Sequence, residues 1–167
     1  MQVKIKKLNQ AVNIPKYKTK GAAGFDLPSA EEVIIAPGES VGISTGLAFE
    51  IPEGYELQVR PRSGVSFKTK LRFSNTVGTV DYDYRGEVKI AFDNFYRSTS
   101  NMVNKLNLLD GTSIETNELY EEGTYLISLN DRIAQGVIKV VQQAEFVEVE
   151  ELSDTERGTG GFGSTGV

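Results

Sequence analysis

The sequence contains no cysteine and no histidine. Disulfides, thiol nucleophiles, Ser-His triads and the usual zinc ligands are therefore excluded together. What remains is oxygen and amine chemistry. If the protein uses a metal ion, we expect a hard cation such as Mg²⁺, held by carboxylates, water and the phosphates of a ligand. These absences favour chemistry on phosphate esters.

Long apolar runs and concentrated positive charge are also missing. No run approaches the roughly 20 apolar residues of a membrane span, and the N-terminus, Met1–Lys4, lacks the apolar region of a signal peptide. The chain has 18 basic and 23 acidic residues, for a net charge of −5. A nucleic-acid polymer requires a concentrated positive field. We therefore expect neither a nucleic-acid nor a membrane partner, and a cytoplasmic location.

What the sequence does contain is a regular succession of short β-type runs separated by turn residues. With 167 residues, of which 39% are hydrophobic, the chain is the size of one compact domain. The predicted strands lie at 3–8, 32–35, 40–51, 55–59, 87–92, 124–129, 132–141 and 146–152. One short helix is predicted at about 63–69, with Ser63 capping its first amides. This pattern predicts an all-β sandwich, jelly roll or barrel.

Residues 96–122 differ from this pattern because they are polar and lie between two predicted strands. We interpret them as an insertion. Within it, residues 105–114 resemble a hairpin arm with Asp110-Gly111 as a two-residue turn. The alternative is a mobile loop.

Residues 157–167 form a glycine-rich tail with too few apolar side chains to pack by itself. We expect one β domain over residues 1–156, followed by this flexible tail. Residues 158–163 match the dinucleotide fingerprint letter for letter, but that motif works only between a strand and a helix. The composition instead favours a phosphate clamp. Its alternative is a tail without fixed structure.

Two internal clusters carry further polar groups. Arg60–Gly64 places a guanidinium and a hydroxyl beside the predicted helix start, and helix N-termini attract anions. Asn75–Gly86 is a dense hairpin with two carboxylates and two phenols. Taken alone, each cluster is more often structural than catalytic.

Together, five segments resemble the motifs of the homotrimeric, all-β dUTPase family in order and spacing. The segments are Ala23–Leu27, Pro61–Gly64, Gly78–Gly86, Arg132–Gln135 and Arg157–Gly166. The resemblance covers nearly the whole chain. It implies a jelly-roll-like distorted barrel that hydrolyses dUTP to dUMP and pyrophosphate with Mg²⁺. This activity limits uracil incorporation into DNA and supplies dUMP.

The resemblance implies specific roles in the third segment. Asp81 would be the general base for the water that attacks the α-phosphorus, a task suited to a carboxylate. Tyr84 would pack against the deoxyribose and Asn75 would face the uracil, with Gly78 and Val80 also contacting substrate. The alternatives are a turn-stabilising Asp81, and sheet packing for Asn75 or Tyr84.

At the phosphates, the resemblance implies contacts from Arg62, Ser63, Gly64 and Gln135. Ser63 would lie near the α,β-bridging oxygen, where donors stabilise the transition state. Asp26 would hold Mg²⁺ through a water; alternatively it is a strand-end carboxylate that accepts turn amides. The tail would close over the site through Arg157, Phe162, Gly163, Ser164 and Thr165.

In the family, the sites lie at subunit interfaces and the tail reaches from a third subunit. The apolar runs at 133–141 and 146–152 would suit such an interface, although ordinary core strands are an alternative. Two residues depart from the family pattern, namely Pro28 and Gly136, the latter where leucine is usual.

The insertion is the larger departure. It resembles the extra segment of some bacteriophage dUTPases, which suggests a phage or prophage origin, a bacterial host cell and a regulatory protein partner. An arm without function is the alternative. A dCTP deaminase shares the fold, but the water-positioning third segment argues against that activity.

Overall fold

Within residues 1–75, 77–161 and 164, which the computed structural model describes, the chain forms thirteen short strands and one short helix. The strands are β1 (Lys4–Lys7), β2 (Phe25–Pro28), β3 (Val33–Ile35), β4 (Ser40–Ser44), β5 (Leu47–Glu50), β6 (Tyr55–Pro61), β7 (Leu71–Phe73), β8 (Gly78–Val80), β9 (Lys89–Asn94), β10 (Met102–Asn107), β11 (Ser113–Glu121), β12 (Tyr125–Ile127) and β13 (Arg132–Val140). The helix α1 spans Ser63–Lys68. No helix in these residues has the length and apolar character of a membrane span.

The strands surround one hydrophobic core as a jelly-roll-like barrel. Three sheets have the strand orders β2-β13-β6-β8, β4-β9-β7 and β11-β10-β12-β3, and β1 pairs with β5. The inward side chains are fully buried, for example those of Leu27, Ile43, Leu57, Phe92 and Ile133. Each such side chain contributes about 1.5–3 kcal/mol when buried. The predicted all-β class is confirmed.

Strand boundaries depart from the predictions where side chains redirect the backbone. The predicted single run at 40–51 divides into β4 and β5 because Thr45 leaves the sheet. Its backbone N–H and its Oγ1 both donate to the carbonyl of Val88, at 3.2 and 2.6 Å. Strands β2, β7 and β8 were not predicted, since three or four residues are too few for a period to show.

The inserted segment forms a hairpin, as predicted, but with a different turn. Strands β10 and β11 pair with each other, and β10 also meets β12 through Asn107 and Tyr125. The Leu108 amide donates to the Thr112 carbonyl at 2.9 Å, which leaves three residues in the turn. A two-residue type I′ turn needs positive φ at both central positions. Gly111 has a φ of 86°, whereas Asp110 does not have a positive φ.

The strand predicted at 146–152 is wrong. Its alternating Val and Glu residues are typical of a strand, but none of the described residues pairs with them as a strand. Phe146 and Leu152 are 96% and 87% exposed. We call residues 142–156 the C-terminal arm. Because its apolar side chains lie in solvent, the reading of this run as a core strand is also wrong.

The structure explains the unusual glycine in β13. A Cβ added at Gly136 would lie 2.6 Å from Cε2 of Phe25 and 2.8 Å from Cδ1 of Leu57. The missing side chain leaves the space that the Phe25 ring occupies. Phe25 in turn packs against Phe49, with ring centroids 6.2 Å apart. The glycine is therefore a packing feature of the core.

Candidate functional site

The strongest candidate site is a cleft of about 420 Å³ beside the segment 75–90, which we call the hairpin cleft. Pockets for small ligands begin at roughly 300 Å³. Apolar side chains such as Val59, Phe73 and Ile90 line one part of the cleft. Its other lining residues include five that the sequence predicted to contact substrate or carry the chemistry, namely Asn75, Gly78, Val80, Asp81 and Tyr84.

Sheet pairing places one wall of the cleft. Strand β8 runs antiparallel to β6, with Gly78 opposite Val59 and Val80 opposite Leu57. Asn75 precedes β8, and the segment containing Asp81 and Tyr84 follows it. Because all of these residues belong to one short stretch of sequence, the local fold is enough to gather them.

The turn after β8 is held by Arg85. Its Nη1 donates to the carbonyls of Tyr82 and Tyr84 at 2.6 and 3.1 Å, and the Tyr84 amide donates to the Asp81 carbonyl at 3.2 Å. These bonds fix the backbone that carries Asp81 and Tyr84. Arg85 lies inside the Gly78–Gly86 segment, but its role in holding the turn was not predicted.

The ring of Tyr84 folds over the backbone of Gly86. A Cβ added at Gly86 would overlap that ring, so only glycine accommodates it here. The phenol donates to the Glu87 carbonyl at 3.1 Å, which fixes the ring's outer end. Tyr84 remains 46% exposed and lines the cleft. Gly86 is a second contributor whose role was not predicted, although a glycine two residues after Tyr84 was a visible signal.

Asp81 lies at the mouth of the hairpin cleft. Its side chain is exposed, and within the described part of the chain its carboxylate accepts no hydrogen bond. It also borders a smaller depression with Glu56 and Tyr82. A carboxylate with this exposure has oxygens available to a water molecule, which suits a general base.

A second group of predicted residues meets at the other end of β6, and we call it the arginine cluster. Arg62 Nε donates to Asp26 Oδ1 at 2.9 Å, and Arg132 Nη1 donates to Asp26 Oδ2 at 3.3 Å. Arg62 Nη1 also donates to the Arg132 carbonyl at 3.0 Å. Two guanidinium groups face one carboxylate, so the cluster carries a net positive charge and attracts anions.

Strand register builds the arginine cluster from three distant segments. Gln135 of β13 lies opposite Asp26 of β2 on one side and Arg60 of β6 on the other. Gln135 Nε2 donates to the Pro61 carbonyl at 2.9 Å. An adjoining cleft of about 560 Å³ is lined by Asp26 and Arg132 together with Lys16 and Lys18. These lysines extend the positive surface.

Helix α1 begins beside the cluster, but not as predicted. The N-cap is Arg62, with φ −88° and ψ 131°, and no side chain caps the helix. Ser63 is the first helical residue, so its hydroxyl is not the predicted cap. The position of Gly64 is open, because a Cβ added there would have no neighbour within 4 Å.

The chain keeps Asp81 and the arginine cluster apart. Val80 pairs with Leu57 and Ala134 pairs with Pro61, so Asp81 lies toward the start of β6 and the two arginines of the cluster lie at its end. At about 3.3 Å per residue, Asp81 and Ser63 are separated by on the order of 20 Å. One chain therefore does not bring the predicted base and the predicted hydroxyl together.

The described part of the tail folds locally. Arg157 Nε donates to the Gly160 carbonyl at 2.8 Å, and the Ser164 amide donates to the Gly161 carbonyl at 3.0 Å. Arg157 is exposed, as is Ser164. The other predicted tail contacts, Phe162, Gly163 and Thr165, lie outside the described residues.

The donor set limits the kind of metal site. Within residues 1–75, 77–161 and 164 there is no cluster of three or more acidic side chains suited to a metal ion. Asp26 lies in the arginine cluster with a side chain that is 20% exposed. This setting fits an ion that takes most of its ligands from phosphates and water, as Mg²⁺ commonly does.

An all-β barrel with a nucleoside-sized cleft and a separate cationic cluster defines a protein built to bind a small phosphorylated ligand. Comparison with known proteins makes the class more specific. The model of the dUTPase family matches residues 10–104 and 120–166. The chain belongs to the dUTPase family.

Curated relatives carry the name deoxyuridine 5'-triphosphate nucleotidohydrolase. The protein of Nautilia profundicola is 54% identical over 166 residues, which cover 99% of each chain. That of Helicobacter pylori is 41% identical over 168 residues, covering 100% of this chain and 98% of the relative. The inserted segment therefore occurs in bacterial proteins as well.

Solved structures from phages are similar over the same length. The dUTPase of Staphylococcus bacteriophage 80alpha, bound to dUPNHPP, has a TM-score of 0.94 at 38% identity and 99% coverage of both chains. The dUTPase of phage phi11 of S. aureus, with its species-specific insert, has a TM-score of 0.87 at 31% identity. It covers 93% of this chain and 100% of its own. The break in the family match, 105–119, lies inside the predicted insertion.

Proposed function

We propose that this chain hydrolyses dUTP to dUMP and pyrophosphate, with Asp81 activating the water that attacks the α-phosphorus. The observation that carries the mechanism is the meeting of Asn75, Asp81 and Tyr84 in one cleft of about 420 Å³. The activity keeps uracil out of DNA and supplies dUMP. Its substrate belongs to the deoxynucleotide pool, so we place the protein in the bacterial cytoplasm.

Substrate selection follows from the walls of the hairpin cleft. The amide of Asn75, with backbone groups near Gly78 and Val80, reads the uracil edge. Cytosine reverses a donor and an acceptor and leaves buried groups unpaired, which is costly. The ring of Tyr84, held over Gly86, packs against the deoxyribose and excludes a 2′-hydroxyl.

The arginine cluster receives the phosphates. Arg62, Ser63, Gly64 and Gln135 contact the β-phosphate and the α,β-bridging oxygen, where charge accumulates as pyrophosphate leaves. In one chain Arg62 is paired with Asp26 at 2.9 Å. A triphosphate competes for the same guanidinium, so substrate binding loosens this ion pair and frees the Asp26 carboxylate.

Asp26 would hold Mg²⁺ through water, together with the phosphates of dUTP. The ion would supply positive charge that stabilises the phosphate oxygens. A mutant of the phage phi11 dUTPase is described as revealing how a structural Mg(II) ion is coordinated. The residues of this chain fit an outer-sphere role, since the cluster offers a single carboxylate.

The working enzyme is a homotrimer with each site shared between chains. The support is the separation of Asp81 from Ser63, on the order of 20 Å along β6. One phosphate group cannot contact both ends of that strand. A second chain that presents its hairpin cleft to the arginine cluster of the first completes the site, and closed symmetry repeats the arrangement.

The C-terminal arm and tail complete the assembly. We treat residues 1–156 as one domain and 157–167 as a flexible tail that closes over the substrate. Apolar side chains of the arm, exposed at Phe146 and Leu152, need a neighbouring chain to cover them. Phe162 stacks on the uracil, while Arg157, Gly163, Ser164 and Thr165 close on the phosphates and expel water.

Truncation before Arg157 should leave a folded trimer without turnover. A truncated trimer that still hydrolyses dUTP would contradict this role of the tail.

The test of the function is a substrate panel. Each deoxynucleoside triphosphate, and UTP, is assayed with and without Mg²⁺ for diphosphate release, and dCTP also for ammonia release. We expect magnesium-dependent diphosphate from dUTP alone. Ammonia from dCTP would identify a deaminase on the same fold, and an unreactive dUTP would refute the proposal.

A regulatory protein partner is a second function favoured by the inserted hairpin. Its exposed apolar side chains include Met102 and Leu119, at 56% and 59% exposure. The related 80alpha phage dUTPase is described as controlling transfer of virulence genes by a G protein-like mechanism.

The double variant Met102→Ser with Leu119→Ser tests this surface. It should abolish binding of a regulatory protein partner and preserve hydrolysis of dUTP. Unchanged capture would refute this surface.

A further inference from the structure

The turn of the inserted hairpin rests on helix α1. Gly111, at the tip of the hairpin, has a φ of 86°. A Cβ added there would lie 3.3 Å from Cβ of Lys68 and 3.7 Å from its Cδ. The bare backbone of the turn therefore lies directly against the aliphatic part of Lys68, the last residue of α1.

The turn is itself firmly built. The Asp110 carboxylate accepts bonds from the Thr112 amide at 2.8 Å and the Thr112 hydroxyl at 2.6 Å. These bonds, with a smaller contribution from the charge of Lys68, lower the pKa of Asp110. Leu109 packs against the core, and Leu106 is only 3% exposed. The tip is thus a fixed element and a suitable support for a neighbour.

Helix α1, by contrast, has little stability of its own. It has six residues, lacks a side-chain cap and buries one side chain, Val65. Isolated helices of this length do not persist in water. At 1.5 Å per residue, Ser63 lies only about 7.5 Å from Lys68 along the axis. A shift at one end of so short a helix therefore moves the other end.

We propose that the inserted hairpin is a positioning element for the phosphate contacts, because its tip holds α1 and thereby the Ser63 hydroxyl. Gly111 acts through Lys68 and does not touch substrate. The inference rests on the proposed function and goes beyond it, since the family match omits residues 105–119, which include the tip.

A pair of glycine variants separates the effect of disturbing the contact with Lys68 from the strain of placing a side chain at positive φ. Gly111→Val adds a side chain against Lys68 at positive φ. Gly38→Val is the matched control, because Gly38 has a φ of 79° and no atom within 4 Å of an added Cβ. We expect kcat/KM for dUTP to fall about tenfold in Gly111→Val and to stay within twofold of wild type in Gly38→Val, since small misplacements of catalytic groups are costly. Affinity for dUMP should be unchanged in both, because the hairpin cleft holds base and sugar.

Two substitutions of Lys68 provide a rescue test. Lys68→Ala removes the stem on which the tip rests, whereas Lys68→Met keeps the stem and removes the charge. We expect Lys68→Ala to resemble Gly111→Val and Lys68→Met to retain the wild-type kcat/KM. Three results would overturn the proposal. The first is an equal loss of kcat/KM in both Lys68 variants, and the second is an equal loss of kcat/KM in both glycine variants. The third is a loss of dUMP affinity that parallels the loss of kcat/KM.

Hydrogen exchange tests the same contact without turnover. The Ser66 amide donates to the Arg62 carbonyl and the Thr69 amide to the Val65 carbonyl, each at 3.0 Å. These amides should exchange faster in Gly111→Val than in Gly38→Val. Equal exchange would refute the support of α1 by the tip even in an active enzyme. If the wild-type protein did not hydrolyse dUTP but the two glycine variants still differed in amide exchange as expected, the proposed function would be refuted and the support of α1 by the tip would stand.

Discussion

The hairpin cleft and the arginine cluster are built in opposite ways. The cleft gathers its polar residues from one short stretch, Asn75 to Tyr84, folded on β6. The cluster joins Asp26, Arg62 and Arg132, which are far apart in sequence and meet only through strand register. In the proposed mechanism the cleft selects a neutral base and sugar, whereas the cluster attracts anionic phosphates. The proposal therefore assigns chemistry and charge stabilisation to two regions of one strand, and a substrate that contacts both would bridge two chains.

The largest effect should come from Asp81→Asn. The substitution preserves the shape of the hairpin cleft but removes the carboxylate that we propose takes the proton from water. We expect kcat to fall about 10³-fold, within the range for losing a general base, while affinity for a non-hydrolysable dUTP analogue is kept. Steady-state kinetics and calorimetry measure the two quantities. A kcat within tenfold of wild type would exclude the role.

Arg62→Ala changes the arginine cluster and leaves the hairpin cleft intact. Loss of the guanidinium leaves Asp26 with Arg132 as its remaining arginine partner and removes a proposed phosphate contact. We expect kcat/KM for dUTP to fall about 100-fold, as for other lost transition-state donors, with dUMP affinity little changed. Arg62→Lys should recover only part of the loss, since lysine cannot reproduce the planar fork. A selective loss of dUMP affinity would contradict the division between the two regions.

Mixing those two variants tests whether the regions act between chains. Each trimer of Asp81→Asn or Arg62→Ala alone has every site damaged. Co-refolded at equal amounts, random trimers should regain about a quarter of wild-type activity, because one site in four then combines two intact regions. Separately refolded variants mixed afterwards are the control. A mixture no more active than its components would place both regions of a working site in one chain.

Gly86→Ala should have a smaller effect, confined to the cleft. The added methyl displaces the Tyr84 ring from its seat beside the Glu87 carbonyl. We expect KM for dUTP to rise several-fold and the preference for dUTP over UTP to weaken, since a shape-based exclusion is worth about 10- to 200-fold at most. Competition kinetics with UTP measure that preference. An unchanged preference would show that the ring does not exclude the ribose.

The smallest effect concerns the sheet behind the cleft. Asp93 of β9 accepts bonds from Ser40 at 2.5 Å and Ser74 at 2.8 Å, and these bonds lower its pKa below the usual 3.8. A carboxyl whose pKa is lowered by folding stabilises the folded state at any pH above its ordinary pKa. This stabilisation is lost as the pH falls through the lower pKa of the folded state. The Tm gap between wild type and Asp93→Asn should therefore narrow below pH 3.8. A gap that is constant with pH would show that ionisation contributes nothing.

The sequence predicted the cleft better than the cluster, for a physical reason. Residues Asn75 to Tyr84 are neighbours in the chain, so their motif already implies their proximity. The pairing of Asp26 with Arg62 depends on which strands lie side by side, and no local pattern contains that information. The same limit applies to Arg85 and Gly86, whose roles depend on carbonyl positions and on the placement of a ring.

Two errors have a related origin. The alternation at 146–152 predicted a strand, but a strand needs a partner, and the part of the chain that the structure describes provides none. Ser63 has the right side chain for an N-cap, yet the helix begins one residue earlier than that role requires. Side-chain preference identified the short helix itself and could not fix its first turn.

Gly136 decides where an aromatic ring can lie inside the barrel. Since the ring of Phe25 occupies the volume that a leucine at 136 would need, a leucine can enter β13 only if that ring shifts. Such a shift would also change how the ring meets Phe49, which now lies 6.2 Å from it. A single absent side chain therefore sets the geometry of an aromatic pair in the core.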